Sequence, residues 1–303
     1  MKNSAILLSC HGTVSRTADI PAFLSNIRHG RPASQEIVRE VTHRFELIGG
    51  SPLMAHTEDQ ARGLQARLGI PVRIAGRLWG PYPKDVVAAL YAEGVRRLVS
   101  LPLAPQSVDI YNAVVKEAAA AFEGLSLACA PAWGNEPALI DTFVETIDDA
   151  LSVLDFSSEP RSSTAVVLSA HSLPKRIVAA GDPYEQQFRA MAALVSKPIE
   201  ERGHPVRVAF QSQGMTGDEW LGPDLATTFR ELALSGVKAA IVAPIGFVAE
   251  HVETLYDLDI EAPKIARDAG LSRFSRARAA NARPRFIDAL ESVARRALAT
   301  LAV

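Results

Sequence analysis

The chain has 303 residues, enough for one large hydrophobic core or two ordinary ones, and its 48% apolar and 22% charged residues are those of a soluble globular protein. A formal net charge of −2 gives no general attraction to nucleic acid or to anionic membrane. Two cysteines, Cys10 and Cys129, with no CxxC pair, indicate neither a disulfide framework nor a cysteine-held metal cluster, and they fit a reducing cytoplasm.

The first apolar run, Ala5–Leu8, is too short for the core of a signal peptide and reads as part of a strand, Ala5–Cys10. Further short β-branched runs follow at Val72–Ala75, Leu98–Leu103, Leu125–Ala130, Ala165–Ser169, Val206–Phe210 and Ala239–Ala243. Helix-period segments lie between them, among them Gln35–Leu47, Glu58–Leu68, Pro83–Glu93 and Leu225–Leu234. No segment is long enough to span a bilayer. This alternation predicts an α/β protein with mostly parallel sheets.

The order of elements repeats. LLSCHGT near residue 10 parallels VLSAHSLP near residue 170, RIAGRLWG is echoed by RVAFQSQG, and DVVAALYAEGVRRLVSLPLAP by TTFRELALSGVKAAIVAPIGF. The expected architecture is therefore two similar Rossmann-like halves, residues 1–155 and 156–303, each a parallel sheet flanked by helices, with a cleft between them. The join falls in Asp155–Ser163, rich in Ser, Pro and charge. Ligands of open parallel sheets bind beyond the carboxyl ends of the strands. The residues just after the strands, His11, Thr13, Trp79, Gln106, Trp133, His171 and Gln211, together with the helix Glu250–Asp257, are expected to line the cleft.

Chemistry concentrates in AIVAPIGFVAEHVETLYDLDIE, where an apolar strand runs into an acidic helix. Glu253, Asp257 and Glu261 recur at every fourth residue, which on an α-helix places them nearly in a row along one face. A solvated acidic face is the plain explanation of such a row. Its start at the end of a buried strand, near an imidazole, suits a path for a divalent cation instead. His171 ends the strand Ala165–Ser169, and Glu253 follows the strand Ala239–Ala243. If both strands are central, this imidazole and carboxylate can form a general base or a pair of metal ligands. His251, two residues from Glu253, points elsewhere on a regular helix and reads as a supporting or surface residue. His11 is open to two readings, axial contact with a bound metal or a hydrogen bond at the strand end. Arg28, His29 and Arg31 form a basic cluster, fit for carboxylate arms of an anionic ligand or for a solvated helix end. GxxxxGK[ST], a strand-linked GxGxxG, GxSxG and HExxH are all missing, which disfavours nucleotide hydrolysis, hydride transfer and proteolysis.

Together SAHSLP, GDPY at Gly181–Tyr184, FQSQGMTGDEWLGPD and PIGFVAEHVETLYDLDIE resemble the ferrochelatase family, whose members insert ferrous iron into a porphyrin. The resemblance runs from LLSCHGT to ARPRFIDAL. IRHGR, RFELIGGSPL and TxxQA resemble its short soluble bacterial form, which lacks membrane-associating and cluster-binding extensions. The resemblance implies a lyase of haem biosynthesis with a chelatase-type fold, in which His171 and Glu253 are the catalytic, metal-handling and proton-accepting pair. It implies that Asp257 and Glu261 continue the metal track, and that His11, Arg28, Arg44, Phe45, Ser51 and Tyr111 bind the porphyrin. It further implies ferrous iron as substrate, no tightly bound cofactor, no iron–sulfur cluster, no stable membrane insertion, and a cytoplasmic monomer. The soluble form commonly has a tyrosine where His11 stands, and Gln213 occupies a position where many members carry a basic residue. The porphyrin is expected to be coproporphyrin III or protoporphyrin IX. Alternatives are a chelatase loading cobalt, nickel or iron into a reduced tetrapyrrole, which the His11 position fits, and a non-catalytic two-lobed binder of haem or a small anion.

Overall fold

A computed structural model describes residues 3–154, 160–214 and 217–301 of the chain. The first elements in order are β1 (Ser4–Cys10), α1 (Ile20–Ile27), α2 (Gln35–Leu47), α3 (Leu53–Leu68), β2 (Val72–Gly76), α4 (Pro83–Ala92), β3 (Arg97–Pro102), α5 (Val108–Ala120) and β4 (Ser126–Cys129). They are followed by α6 (Pro137–Ser152), β5 (Thr164–His171), α7 (Lys175–Ala179), α8 (Tyr184–Glu200), β6 (Val206–Gln211), α9 (Leu225–Leu234) and β7 (Ala239–Ala243). The last are α10 (Val252–Tyr256), a π-helical turn (Asp257–Glu261), α11 (Ala262–Asp268), β8 (Arg273–Arg276) and α12 (Pro284–Thr300).

The strands form two four-stranded parallel sheets, ordered β2-β1-β3-β4 and β6-β5-β7-β8. Each strand of the first sheet thus has a counterpart at the same place in the second, as the repeated sequence order predicts. A cis Gly–Pro bond also follows the second strand of each set, at Gly80–Pro81 and Gly222–Pro223. β1 is buried throughout and β5 is buried up to its last residue, because helices cover both faces of a parallel sheet. This is why both read as continuous apolar runs rather than as alternating ones. One face of the first sheet packs Leu7, Leu98 and Ala75 against Val87, Leu90 and Val115 of α4 and α5. In the second, Val167, Ala240 and Val242 meet Phe229, Leu232 and Leu258.

The compact units differ from the expected halves. One unit runs to Trp133 and takes back the chain from Asn281, and the other is Gly134–Ala280. The division at residue 155 misplaces two helices. α6 packs on α8 and β7, and α12 packs on α3, β3 and β4, so each helix belongs with the sheet it covers. Residues 155–159 of the expected join, and Met215 and Thr216 of the FQSQGMTGDEWLGPD motif, lie outside the described residues. β8 is an addition to the expected strands: RFSR carries two arginines and is only half-buried, as an edge strand can be.

Close backbone approaches shape the loops at the carboxyl ends of the strands. A Cβ on Gly76 would lie 2.1 Å from the Trp79 carbonyl oxygen. A Cβ on Gly246, in the loop after β7, would lie 2.5 Å from Ala170 Cβ and 2.7 Å from Ala170 Cα. Gly246 also donates its N–H to the Ser169 carbonyl at 3.0 Å, so this loop is drawn tightly onto the end of β5. Gly246→Ala should therefore cost about 1–3 kcal/mol by overpacking. That is a melting temperature lower by roughly 2–10 °C in a calorimetric scan, and an unchanged value would contradict the packing.

Candidate active site

In the second unit, β5 ends in Ser169, Ala170 and His171, with His171 paired in register opposite Gln211 of β6. β7 flanks β5 on the other side, and its chain leads through the Gly246 loop into α10. That route delivers Glu253 to His171: Nδ1 lies 2.9 Å from Oε2, and each side chain is about one-third exposed, at 35% and 32%. The strand is held behind them. Tyr184, at the start of α8, donates its hydroxyl to the His171 carbonyl at 2.9 Å. Buried Gln211 accepts from the Ser169 hydroxyl at 2.7 Å and donates from Nε2 to the Glu253 carbonyl at 3.0 Å. Gln211 therefore touches both elements that carry the pair. Its place after a strand puts Gln211 near the site in the sequence, but the bridging contact emerges only from its register opposite His171.

The electrostatics of His171 is a contest. Burial opposes the protonated imidazole most strongly, while the Glu253 charge and hydrogen bond, with the Asp257 charge, favour it and prevail, so its pKa is raised above the ordinary 6.5. With Nδ1–H donated to the carboxylate, Nε2 carries the lone pair, the arrangement of a general base or a metal ligand oriented from behind. Tyr184 is held neutral, its pKa pushed up by burial and by the charges of Glu253 and Asp182. His251 is the N-cap of α10. Its Nδ1 accepts the Glu253 N–H at 3.2 Å, and its own N–H donates to the Thr254 hydroxyl at 2.9 Å, a reciprocal capping box. Burial pushes its pKa down, which keeps Nδ1 an acceptor. His251 thus fixes the first turn that carries Glu253.

The acidic row departs from the expected α-helix. Asp257–Glu261 is a π turn between α10 and α11. Four residues overshoot an α-helical turn by about 40°, and the wider π turn works against that drift. Asp257 is buried and accepts a hydrogen bond from the Ser212 hydroxyl, whereas Glu261 at the far end of the turn is half-exposed. The other side of the turn is tied to β8: Arg276 grips Asp259 through Nε at 2.6 Å and Nη2 at 2.8 Å, and buried Glu250 through Nη1 at 2.8 Å. Arg276 holds the Glu250 carboxyl below its usual range despite burial. Among the described residues, no three His, Cys, Asp or Glu side chains converge closely enough to hold a metal ion.

The first unit gathers the other expected residues at the carboxyl ends of its strands. His11, exposed after β1, meets the edge of Phe23 at 6.3 Å, and Phe23 meets Trp79 at 6.1 Å. α1 is tied to the loop after β2 by Asn26, which donates to the Leu78 carbonyl at 2.9 Å. Arg28 caps that helix before a reversal through His29 and Gly30, both at positive φ. Its Nε, like Ser51 Oγ ahead of α3, is buried with no hydrogen-bond partner among the described residues. Such polar atoms are costly unless a ligand completes them. Arg44 is paired with Glu40 at 2.8 Å. Phe45 is the buried anchor of α2, and Tyr111 is buried with the Arg77 guanidinium 5.6 Å from its ring centre. Trp133 does not line an opening: it is 1% exposed, donates to the Pro102 carbonyl at 3.0 Å and packs on Phe286.

A profile of the ferrochelatase family matches residues 3–298. The chain belongs to that family. It is 35% identical over 305 aligned residues to the coproporphyrin III ferrochelatase of Anoxybacillus flavithermus, covering 96% of this chain and 95% of that one. It is 34% identical to the coproporphyrin III ferrochelatase of Bacillus subtilis and 34% identical to a ferrochelatase of Herpetosiphon aurantiacus, covering 96% of this chain and 97% of each. Among solved structures, SirB from Bacillus subtilis shares the fold, with a TM-score of 0.58 at 16% identity over 98% of this chain and 96% of that one. DR2241 from Deinococcus radiodurans also has a TM-score of 0.58, at 12% identity, over 96% of this chain and 54% of that one. This ferrochelatase is an enzyme of porphyrin metal chelation in haem biosynthesis, and neither the reduced-tetrapyrrole reading nor the non-catalytic one is favoured. No helix among the described residues is long and apolar enough to cross a membrane.

The pairing predicts a titration with a definite sign. Followed by NMR of the ring, His171 should titrate above 6.5 in the ferrochelatase and at a lower pH in Glu253→Gln, where the opposing burial remains and only the Asp257 charge favours the imidazolium. The raised value contributes stability that is full below the unfolded pKa and is lost as pH rises through the folded one. Indistinguishable titrations of the two proteins would refute the charge pairing.

Proposed function

We propose that this ferrochelatase inserts ferrous iron into coproporphyrin III, with His171 and Glu253 as the catalytic pair. The observation that carries the catalytic assignment is the 2.9 Å contact between His171 Nδ1 and Glu253 Oε2 at the carboxyl edge of the second sheet. The choice of coproporphyrin III is supported by relatives of that printed activity, 34–35% identical over nearly their whole lengths.

A free-base porphyrin carries two N–H protons that must leave as the metal enters. His171 Nε2 accepts the two pyrrole protons in turn, passing the first to solvent before taking the second, and the imidazolium formed each time is stabilised by the carboxylate at Nδ1, a differential stabilisation of charge that develops during the reaction. Iron is delivered along Glu261, Asp257 and Glu253, whose hard oxygens exchange for its waters. Arg28 and Ser51, each with a buried unpartnered polar atom, hold propionates, and Arg44 and Tyr111 complete the porphyrin side with His11 and Phe45. Iron is a substrate here. The two cysteines, Cys10 buried and Cys129 half-buried, supply too few thiolates for a four-cysteine iron–sulfur cluster. We place the enzyme in the cytoplasm as a monomer.

His171→Ala should lower anaerobic iron insertion by about 10²–10⁴-fold, while porphyrin binding, followed by absorbance, persists. Full activity in that variant would remove His171 from the mechanism. Offered each porphyrin in turn, the enzyme should show the higher kcat/KM with coproporphyrin III. A preference for protoporphyrin IX would overturn the substrate assignment and leave the catalytic pair standing.

A further inference from the structure

GDPY, residues 181–184, carries part of the family resemblance but takes no part in the proposed chemistry. Its four residues build a mount for one side chain. Gly181 turns the chain out of α7 at φ 100°, in the region that favours glycine. Asp182 then accepts the Tyr184 N–H at 2.9 Å, satisfying a donor that the first turn of α8 leaves open. Tyr184 thus starts α8 and is 7% exposed, with its hydroxyl 2.9 Å from the His171 carbonyl. α8 is itself fixed on the sheet, because Phe188, one turn on and fully buried, packs edge-on against Phe210 of β6 at 5.4 Å.

His171 needs such a tie because β5 outruns one of its neighbours. Pairing with β7 ends at Leu168, whereas pairing with β6 continues to His171. Beyond Leu168 other groups replace the missing strand. Gly246 donates to the Ser169 carbonyl at 3.0 Å, and two residues on Tyr184 donates to that of His171. A carbonyl at an unpaired strand end otherwise turns to water. Bound to a packed helix, it fixes the backbone of His171 and with it the direction in which the imidazole leaves the chain.

We infer that Tyr184 is a positioning residue for iron insertion, its hydroxyl fixing the backbone of His171 so that the imidazole meets the porphyrin in one orientation. The inference rests on the reading of His171 as proton acceptor, and gives GDPY the task of aiming it. A tyrosine that serves only the fold predicts a lower melting temperature with unchanged kinetics in the folded protein.

The test compares Tyr184→Phe, His171→Ala and the double variant of the full chain in anaerobic assays with ferrous iron and coproporphyrin III, at a temperature where melting curves show each to be folded. Tyr184→Phe keeps the ring and removes the hydroxyl. It should lower kcat by about 10–100-fold, on the scale of a reacting group slightly misplaced, and leave both KM values unchanged. In the His171→Ala background the same change should remove nothing further, because both act through one imidazole. A further loss there would show that Tyr184 acts elsewhere and would overturn the inference. An unchanged kcat in Tyr184→Phe, with His171→Ala impaired, would overturn the role of Tyr184 alone. Full activity in His171→Ala would overturn the reading of His171 and this inference with it. Where Tyr184→Phe melts too low to assay, Asp182→Ala and Asp182→Asn decide, since both keep the ring and its hydroxyl. The amide oxygen of asparagine can still accept the Tyr184 N–H, and alanine cannot. A kcat lowered in Asp182→Ala and near normal in Asp182→Asn supports the role, and any other pattern overturns it.

Discussion

The proposed chemistry of this molecule turns on one contact, an imidazole at the end of β5 meeting a carboxylate at the start of α10. The two residues are 82 positions apart, and the parallel sheet removes that distance. Because neighbouring strands run the same way, their chain exits share one edge, and whatever follows each strand is delivered there. The supporting contacts all limit the freedom of that meeting. Gly246 brings the loop after β7 onto Ala170, Gln211 spans from β5 to α10, and His251 caps the turn on which Glu253 sits. A polar pair at a partly exposed edge would otherwise exchange partners with water, so the framework is what makes its orientation a property of the ground state.

The two sheets show how one framework hosts different chemistry. Strand order and the placement of a histidine at the end of the first strand are common to both. After β5 that histidine finds a carboxylate, whereas after β1 it meets the edge of Phe23, itself against Trp79. An ion pair suits proton and metal traffic, and an aromatic wall suits a flat apolar macrocycle. Function here is set by what each loop brings to a shared edge.

Much of this is legible in the chain because both central strands are apolar throughout, and the repeat exposes the shared topology. β8 is hidden by its two arginines: an edge strand needs little burial, and Arg276 spends its charge on Glu250 and Asp259. The π turn is illegible for a different reason. Carboxylates at every fourth position satisfy an α-helix as well as they satisfy a widened one, and the difference lies in backbone hydrogen bonds that no side-chain pattern reports. The position of Trp133 after β4 points to an opening, but a bulky indole with a carbonyl to satisfy is more stable against Phe286. Ser212 leaves no signature at all, since a serine at a strand end has many ordinary uses, and Gln211 shows in the sequence only as a strand-end residue, its bridge to Glu253 being set by register.

The return of α12 to the first unit has a consequence for synthesis. Phe286, Ile287, Leu290, Val293 and Leu298 are buried in that helix, which covers α3, β3 and β4, yet all of Gly134–Ala280 is translated before it. On the ribosome, the later-coded unit is therefore whole first. The earlier one waits with an apolar flank uncovered until its last helix arrives, which makes the nascent N-terminal part the natural client of a chaperone.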